Sequence, residues 1–341
     1  MARNQGRSTI IDVAREAGVS IASVSHVLNG TKAVSPALRA KVEEAIAHLG
    51  YRPSHLASSL RRQRSATVGI LLANMAGSHV NGMLKGVVDA LAEHGFAALL
   101  ADSEGSTQHQ REQITRFLDR EVDACIVEPV AGTGQGFTEL LEHTRAILIG
   151  DRIPGADCPA VVPDLAAGVR AAAAWALRQG RRVAFMAEHL PTPQRQEAFR
   201  GFGEAFGPGV QVPTDLVCTA PPTPEGGYKQ IQRLVDLDPP ISGVVVAHPL
   251  MTLGAVEMWH ALGGRRLFAL AGMGAEGYGM ASADAGMIAV PAREIGRRAV
   301  EVLAGARAGE IPPDVVRLPV RFVPPVGGQG GEANAGDLSA V

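Results

Sequence analysis

Residues 9–29 read TIIDVAREAGVSIASVSHVLN, and this stretch predicts two short helices joined by a sharp turn. Thr9, with Asp12 three residues later, has the capping-box spacing that starts a helix. Gly18 supplies a stop and a tight turn, and Ser20 can begin a second helix. Apolar side chains recur at helical spacing on one face of each predicted helix: Ile10, Val13, Ala14 and Ala17, then Val24, Val27 and Leu28.

The opposite face of the second predicted helix carries small and polar side chains: Ile21, Ala22, Ser25, His26 and Asn29. Small side chains let a helix sit deep in the major groove, where Ile21 and Ala22 can touch thymine methyl groups. His26 can donate a hydrogen bond to a purine acceptor. We therefore predict a DNA-binding helix-turn-helix. The alternative is a plain packing unit, because helix pairs around a turn also occur in that role.

The sequence that follows predicts a small closed core and a short segment beyond it. Ser35 and Pro36 can start a third helix. Its buried face would be formed by four apolar residues: Val42, Ala45, Ile46 and Leu49. After the break at Pro53, Ser54–Leu60 predicts a helix too short to be stable alone, with leucines that have no nearby core to fill. The alternative for this segment is an ordinary linker.

The run D-V-A-x-x-A-G-V-S-x-x-S-V-S-H-V-L-N-G at 12–30 resembles the N-terminal module of LacI/GalR-type bacterial transcription regulators. The resemblance continues through VSP at 34–36, GYRP at 50–53 and LASSL at 56–60, and more loosely to about Val323. Most of that family has arginine at the position of His26, whereas its purine-repressor branch has histidine there. The resemblance is highly specific over the first sixty residues and is specific only for the fold beyond them.

The resemblance implies roles for the matching residues. In the first module it implies base contacts in the major groove for Ile21, Ala22, Ser25 and His26, and phosphate contacts for Thr9, Ser20 and Asn29. In the following segment, which would fold when two subunits meet on DNA, it implies DNA contacts for His55, Ala57, Leu60 and Arg61. Leu60 would wedge into the minor groove and kink the duplex. The expected partners are a double-stranded, near-palindromic operator and a second copy of the chain.

Charge is distributed unevenly along the 341 residues. The net charge is −2, yet residues 1–64 hold ten Lys and Arg against four Asp and Glu. A basic N-terminal segment followed by an acidic remainder is typical of a phosphate-binding module attached to a unit that does not bind DNA. The three cysteines lack metal-ligand spacing, and no stretch resembles a signal peptide or a membrane span. We therefore expect a reduced, cytoplasmic protein with no metal, cofactor or membrane partner.

From Ala66 onward, short apolar runs alternate with helical segments. The runs TVGILL, FAALLA, DACIVE and AILIG are followed by a second cycle with VAFMA, GVVVA and LFALA. This alternation predicts an α/β fold with parallel sheets flanked by helices. Together with the resemblance it gives five expected segments: a helix-turn-helix domain (1–53), a hinge helix and linker (54–65), the N-lobe (66–163 with 292–323) and C-lobe (164–291) of a periplasmic-binding-protein-like core, and a disordered tail (324–341).

Two similar α/β halves predict a ligand cleft at the carboxyl ends of their strands. Asn74 follows the first strand, and Asp164 matches an aspartate of the resembled family. Other polar positions of that family are replaced by Ala198, His248-Pro249, Gly272–Gly274 and Gly286–Ala289. These replacements remove side chains that form two hydrogen bonds to one ligand. Their loss argues against the sugar ligand that is usual in the resembled family. Three further polar residues are either replacement contacts or solvated surface residues: Gln194, Arg195 and His248.

The sequence thus predicts a dimeric DNA-binding regulator, in this family more often a repressor, gated by an unknown small-molecule effector in the cleft. The alternative is a regulator of the same DNA-binding type whose core binds a protein partner or serves only as a dimerisation scaffold. A solute-binding protein with a vestigial head fits less well, because the caps and the exposed helix face are intact. No arrangement indicates an enzyme, since the G-x-G-x-x-G match at 272–277 is not followed by a clear helix.

Overall fold

The structure is a computed structural model that describes residues 8–29, 32–51, 65–77, 79–264, 267–276, 284–307 and 314–325. The chain divides into two compact units, Met1–Ser65 and Ala66–Val341. Several sequence expectations fall outside the described residues. They are the hinge segment from residue 54 to 64, with His55, Ala57, Leu60 and Arg61, and the expected tail from residue 326 onward.

The described residues of the first unit form three helices: α1 (Ile10–Glu16), α2 (Ile21–Asn29) and α3 (Pro36–Leu49). Gly18 and Gly50 adopt positive φ angles of 64° and 58°, which glycine reaches without the steric penalty of a side chain. The buried side chains of the three helices form one small core: Val13, Ala14, Val24, Val27, Val42 and Ala45. The predicted helix-turn-helix, closed by a third helix, is therefore present.

The described strands of the second unit form two sheets. The strands of the first are β1 (Thr67–Leu72), β2 (Ala97–Asp102), β3 (Ala124–Val127), β4 (Ala146–Ile149), β5 (Ala160–Asp164) and β11 (Val315–Pro319). They are paired in the order β11-β5-β4-β3-β1-β2, and every pairing is parallel. Both faces of this sheet are covered, so β3 and β4 are buried along their whole length.

The strands of the second sheet are β6 (Val183–Glu188), β7 (Val217–Ala220), β8 (Gly243–Val246), β9 (Ala269–Ala275), β10 (Gly286–Val290) and β12 (Arg321–Val323). Their order is β12-β10-β9-β8-β6-β7. All these pairings are parallel except that of β12, which runs antiparallel to β10 with Phe322 opposite Ile288. We call the first sheet with its helices the N-lobe and the second the C-lobe.

The α-helices among the described residues of the second unit are α4 (Val80–Glu93), α5 (Thr107–Asp119), α6 (Gln135–Leu141), α7 (Leu165–Leu177), α8 (Pro193–Glu204), α9 (Pro224–Val235), α10 (Pro249–Ala261) and α11 (Ala292–Arg307). Six of them pack directly against one another in pairs: α4 with α11, α7 with α8, and α9 with α10. Among the described residues, no helix has the length and apolar character that crossing a membrane requires.

The α/β class and the two-lobed core predicted from the sequence are confirmed, but the strands differ in detail. The strand expected near Val315–Val323 is two strands, because β11 joins the N-lobe sheet whereas β12 pairs with β10 in the C-lobe sheet. The sequence also fails to predict β5, β7 and β10. Their segments AVVPD, VCTA and GMIAV are short, and two of them contain proline or glycine, which weaken a strand pattern.

Candidate nucleic-acid interface and inter-lobe cleft

The side of α2 that faces away from the small core presents the residues predicted to read DNA. Ile21 is 46% exposed although it is large and apolar, and Ala22 is exposed beside it. Ser25 and His26, one turn further on, are half-buried, while Val24 is fully buried in the core. We call Ile21, Ala22, Ser25 and His26 the recognition face. A helix anchored through Val24 presents this face on a fixed support.

Two of the residues predicted to position phosphates, Thr9 and Ser20, are helix caps. Thr9 Oγ1 accepts from the Asp12 N–H at 3.3 Å and donates to Asp12 Oδ2 at 2.6 Å, and the Thr9 N–H donates to the same oxygen at 2.9 Å. The hydrogen bonds from the Thr9 side chain and backbone lower the pKa of Asp12. Ser20 Oγ accepts from the Ser23 N–H at 3.1 Å. These caps fix the starts of α1 and α2, whereas the side chain of Asn29 lies outside the described part.

The loops at the carboxyl ends of strands from both lobes come together as an inter-lobe cleft. The two residues predicted to contact a ligand here, Asn74 and Asp164, each have a local structural role. Asn74 Oδ1 accepts from the Ala76 N–H at 2.8 Å just after β1. Asp164 Oδ1 accepts from the Ala167 N–H at 3.4 Å and caps α7. The Asn74 carboxamide and the Asp164 carboxylate therefore stabilise the local backbone at the edge of the cleft.

The other three predicted cleft residues lie in the C-lobe. Arg195 Nη1 donates to the carbonyl oxygen of His189 at 3.1 Å, at the start of α8. Gln194 Oε1 and His248 Nδ1 are buried, and no hydrogen-bond partner reaches either atom among the described residues. Gln194, in the first turn of α8, and His248, two residues after β8, are half-buried as whole residues, and one polar atom of each is shielded from solvent.

A histidine–glutamate pair that the sequence does not predict lies opposite His248. Glu128, just after β3, accepts from His79 at 2.8 Å and from the Ala73 N–H at 3.1 Å. Burial opposes the charge on His79, but the Glu128 carboxylate outweighs it and raises the pKa of His79. Burial likewise opposes the charge on Glu128, yet His79 and the hydrogen bonds lower the pKa of that carboxyl. Burial, with His79 nearby, lowers the pKa of His248 to about 4, so His248 is neutral at pH 7.

Asp151 of the N-lobe and Glu188 of the C-lobe form a second titratable pair, which we call, with Thr192, the acidic seam. Thr192 Oγ1 donates to Glu188 Oε1 at 3.0 Å, and the Thr192 side chain and the Gln194 N–H also interact with Asp151. A hydroxyl has a single hydrogen, so Thr192 can donate to only one carboxyl group. Burial and the neighbouring Glu188 raise the pKa of Asp151 to about 7, and burial raises that of Glu188. The seam therefore holds a proton near neutral pH.

The acidic seam predicts a pH-dependent stability of the second unit. The pKa of Asp151 lies near 7 in the folded protein instead of 3.8, so the folded state binds a proton more tightly than the unfolded state. The contribution of Asp151 to the free energy of unfolding should then be greatest at low pH and fall as pH rises through 7. Asp151→Asn removes this titration. Between pH 5 and pH 8 the wild type should lose about 2 kcal/mol relative to Asp151→Asn.

The measurement is denaturant unfolding followed by the fluorescence of Trp175 and Trp259, which both lie in the second unit. His79 is present in both proteins, so its own titration cancels in the comparison. Asp119→Asn, at the exposed end of α5, removes the same charge away from the cleft and should follow the wild-type pH curve. Parallel pH curves for wild type and Asp151→Asn would show that Asp151 is ionised in the seam at neutral pH.

Two family models match the chain, one for each unit. The model described as bacterial regulatory proteins, lacI family, matches residues 9–54, and a periplasmic binding protein domain matches residues 68–311. The chain is 28% identical over 255 residues to the HTH-type transcriptional regulator RegA of Clostridium saccharobutylicum, covering 73% of this chain and 76% of the relative. It is 26% identical over 253 residues to catabolite control protein A of Priestia megaterium, with the same coverage of 73% and 76%.

Solved structures of transcription regulators have a fold similar to that of the present chain. The lac repressor dimer bound to operator and the anti-inducer ONPF aligns with a TM-score of 0.82 at 20% identity, over 94% of this chain and 99% of that chain. A complex of the transcriptional regulator CelR with cellobiose aligns with a TM-score of 0.67 at 26% identity, over 94% and 100% of the two chains. The order of domains in these proteins is that of the present chain.

Proposed function

Because the chain belongs to the lacI family of bacterial regulatory proteins, and is therefore a transcriptional regulator, we propose that it is a repressor that binds a near-palindromic operator as a homodimer. In this proposal, a small molecule in the inter-lobe cleft changes the affinity for the operator. The observation that carries the DNA-binding part is the recognition face, with exposed Ile21 and Ala22 held over buried Val24. An exposed helix face that combines small, polar and apolar side chains can lie deep in the major groove and contact base edges and thymine methyl groups.

Each DNA-contacting residue has a proposed role. The recognition face reads base edges, and Thr9, Ser20 and Asn29 with the neighbouring backbone position phosphates. The segment between the units supplies minor-groove and phosphate contacts through His55, Ala57, Leu60 and Arg61, as in the family that the sequence resembles. The similarity to a repressor dimer solved on its operator supports this arrangement, because that alignment extends over 94% of the present chain.

The proposed effector site lies between the lobes. Ala198, fully buried in α8, stands where the resembled family has an arginine, so the bidentate contact is lost. The polar groups that remain belong to both lobes: Asn74, Glu128, Asp151 and Asp164 in the N-lobe, and Glu188, Gln194, Arg195 and His248 in the C-lobe. A ligand that contacts both sets stabilises the closed arrangement. By this differential affinity it shifts the lobes and thereby the pairing of two subunits on DNA.

The recognition face predicts a change in sequence specificity for His26→Ala. Removing the imidazole deletes a hydrogen bond to one purine acceptor in each half-site, so discrimination at that base pair should fall by about 1–3 kcal/mol. The affinity for sequences already mismatched at that base pair should change little. The measurement is fluorescence anisotropy on the preferred duplex and on three variants of that position.

His48→Ala is a matched control, because His48 lies on α3 and pairs with Glu16 at 3.0 Å on the surface of the same unit. That substitution should leave the specificity profile unchanged. If His26→Ala weakened binding to all duplexes equally, His26 would contact a phosphate and its role in base recognition would be wrong.

The gating part of the proposal is tested by screening sugars, nucleosides and other metabolites for a shift in the melting temperature of the full chain. A compound that raises the melting temperature and also changes operator affinity supports the proposal, because the two effects are linked through one equilibrium. Stabilisation without any change in operator affinity contradicts it, and no stabilisation by any compound in a broad library favours a core that serves only as a dimerisation scaffold.

A further inference from the structure

A cavity of about 280 Å³ lies where the two lobes meet beside the acidic seam. Its N-lobe wall is formed by Arg152, Val162 and Arg317, and its C-lobe wall by α8 residues. The α8 residues are Pro193, Gln194, Gln196, Glu197 and Arg200. We call this cavity the arginine pocket. It brings three guanidinium groups, from both lobes, around a single lining carboxylate.

The ion pairs around the arginine pocket leave a surplus of positive charge. Glu197 contacts Arg200 at 2.7 Å and, with its other oxygen, Arg317 at 3.6 Å. Glu204, behind the pocket, is shared between Arg200 at 2.5 Å and Arg170 at 3.4 Å. These five residues form one chain of three arginines and two glutamates, which carries a net positive charge of one.

Arg152 adds the second positive charge. Within the described part of the chain its guanidinium forms no ion pair, although its side chain lines the pocket with Arg317. Guanidinium groups present a planar fork of donors that matches phosphate and carboxylate oxygens. Three lining guanidinium groups against one lining carboxylate therefore favour an anionic group over a neutral sugar.

The remaining polar wall of the pocket points to a ligand with hydroxyl groups. Gln194 Oε1 is buried and receives no hydrogen bond from the described residues. A buried carbonyl-type oxygen without a donor is unfavourable, and a ligand hydroxyl relieves this. Since Gln194 lines the pocket together with Arg152 and Arg200, one ligand can meet all three groups.

We infer that the arginine pocket binds the phosphate group of a small phosphate monoester, with Arg152 and Arg317 on its oxygens and Gln194 on a hydroxyl of its organic part. A cavity of about 280 Å³ accommodates a phosphate and a short polyhydroxyl chain. Because the pocket walls come from both lobes, the bound phosphate favours the closed arrangement. A phosphate monoester would thus be the small-molecule effector of the proposed regulator. Only the expected change in operator affinity rests on the proposed function.

The test is isothermal titration calorimetry of the full chain in phosphate-free buffer with glucose 6-phosphate, inorganic phosphate and glucose as probes. Glucose 6-phosphate should bind and glucose should not. Arg152→Ala and Arg317→Ala should each weaken binding about tenfold or more, because each removes a charge-assisted hydrogen bond. Arg181→Ala, which removes an exposed arginine away from the pocket, is the matched control and should leave the affinity unchanged. Tryptophan fluorescence confirms that each variant is folded.

Inorganic phosphate that binds as tightly as the ester identifies free phosphate as the ligand, whereas tighter binding of the ester shows that the pocket also contacts the organic part. The inference is overturned if neither phosphate compound binds at millimolar concentration. It is also overturned if glucose binds as well as its phosphate, or if binding survives the double substitution of Arg152 and Arg317. If binding depends on the arginines but leaves operator affinity unchanged, the assignment of the arginine pocket as a phosphate site stands. Only the proposed gating of DNA binding is then contradicted.

Discussion

Replacing Ala22 with glutamate is expected to lower specific DNA affinity about a hundredfold or more without unfolding the protein. Ala22 is exposed on α2, so a longer side chain meets no core residue and the helix remains intact. In the major groove the new carboxylate would be brought close to phosphates and would lose its hydration. Like-charge contacts in an interface cost several kcal/mol, and each 1.4 kcal/mol is a factor of about ten in affinity.

The control for this substitution is Ala47→Glu, which makes the same change at an exposed position of α3. Its charge acts only through screened, long-range repulsion, so affinity should fall by a small factor that disappears at higher salt. Equal losses for the two variants would mean that the effect is general electrostatics. The recognition face would then have no special contact with DNA, and the proposed readout by α2 would be wrong.

Gly201→Ala is expected to destabilise the second unit by about 3 kcal/mol, at the upper end of the range for overpacking. A Cβ on Gly201 of α8 would lie 2.1 Å from the Ala166 carbonyl oxygen and 2.6 Å from its Cα. These are backbone atoms of α7, so no side-chain rotation can make room, and the two helices must separate. Denaturant unfolding followed by tryptophan fluorescence measures the change, because Trp175 lies on α7.

Gly203→Ala in the same helix is the matched control. A Cβ at Gly203 would meet no heavy atom within 4 Å, so the change should stabilise the unit by about 0.5–1 kcal/mol through higher helix propensity. Opposite signs for substitutions two residues apart would establish the close approach of α7 and α8. Equal effects would show that the helices are farther apart than this geometry requires.

The first unit could be read from sequence because its determinants are local. The cap at Thr9, the turn at Gly18 and the period of the apolar residues all act within a few positions, and the structure contains the corresponding capping box, positive φ and core. The exposure of Ile21 follows from the same period. The hinge helix predicted at Ser54–Leu60 has a weaker local basis, because a helix this short depends on partners outside itself.

The sequence predicts where the cleft lies but not which titratable side chains meet there. His79, Glu128, Asp151 and Glu188 have no distinctive spacing, and they become neighbours because parallel strands place their carboxyl ends together. Of these groups, Glu128 directly follows β3, Asp151 comes two residues after β4 and Glu188 ends β6, and this position at strand ends is the one signal that sequence offers. The strand β12 shows the same limit, since its pairing with β10 is a contact between distant segments.

Operator recognition is best tested by selection from a pool of random duplex DNA with the purified full chain at two salt concentrations. The retained sequences should share a near-palindrome with a central pyrimidine–purine step, and this preference should persist at the higher salt concentration. Retention without a preferred sequence, lost steeply as salt rises, would show that the chain contacts only phosphates and would contradict operator recognition by the recognition face.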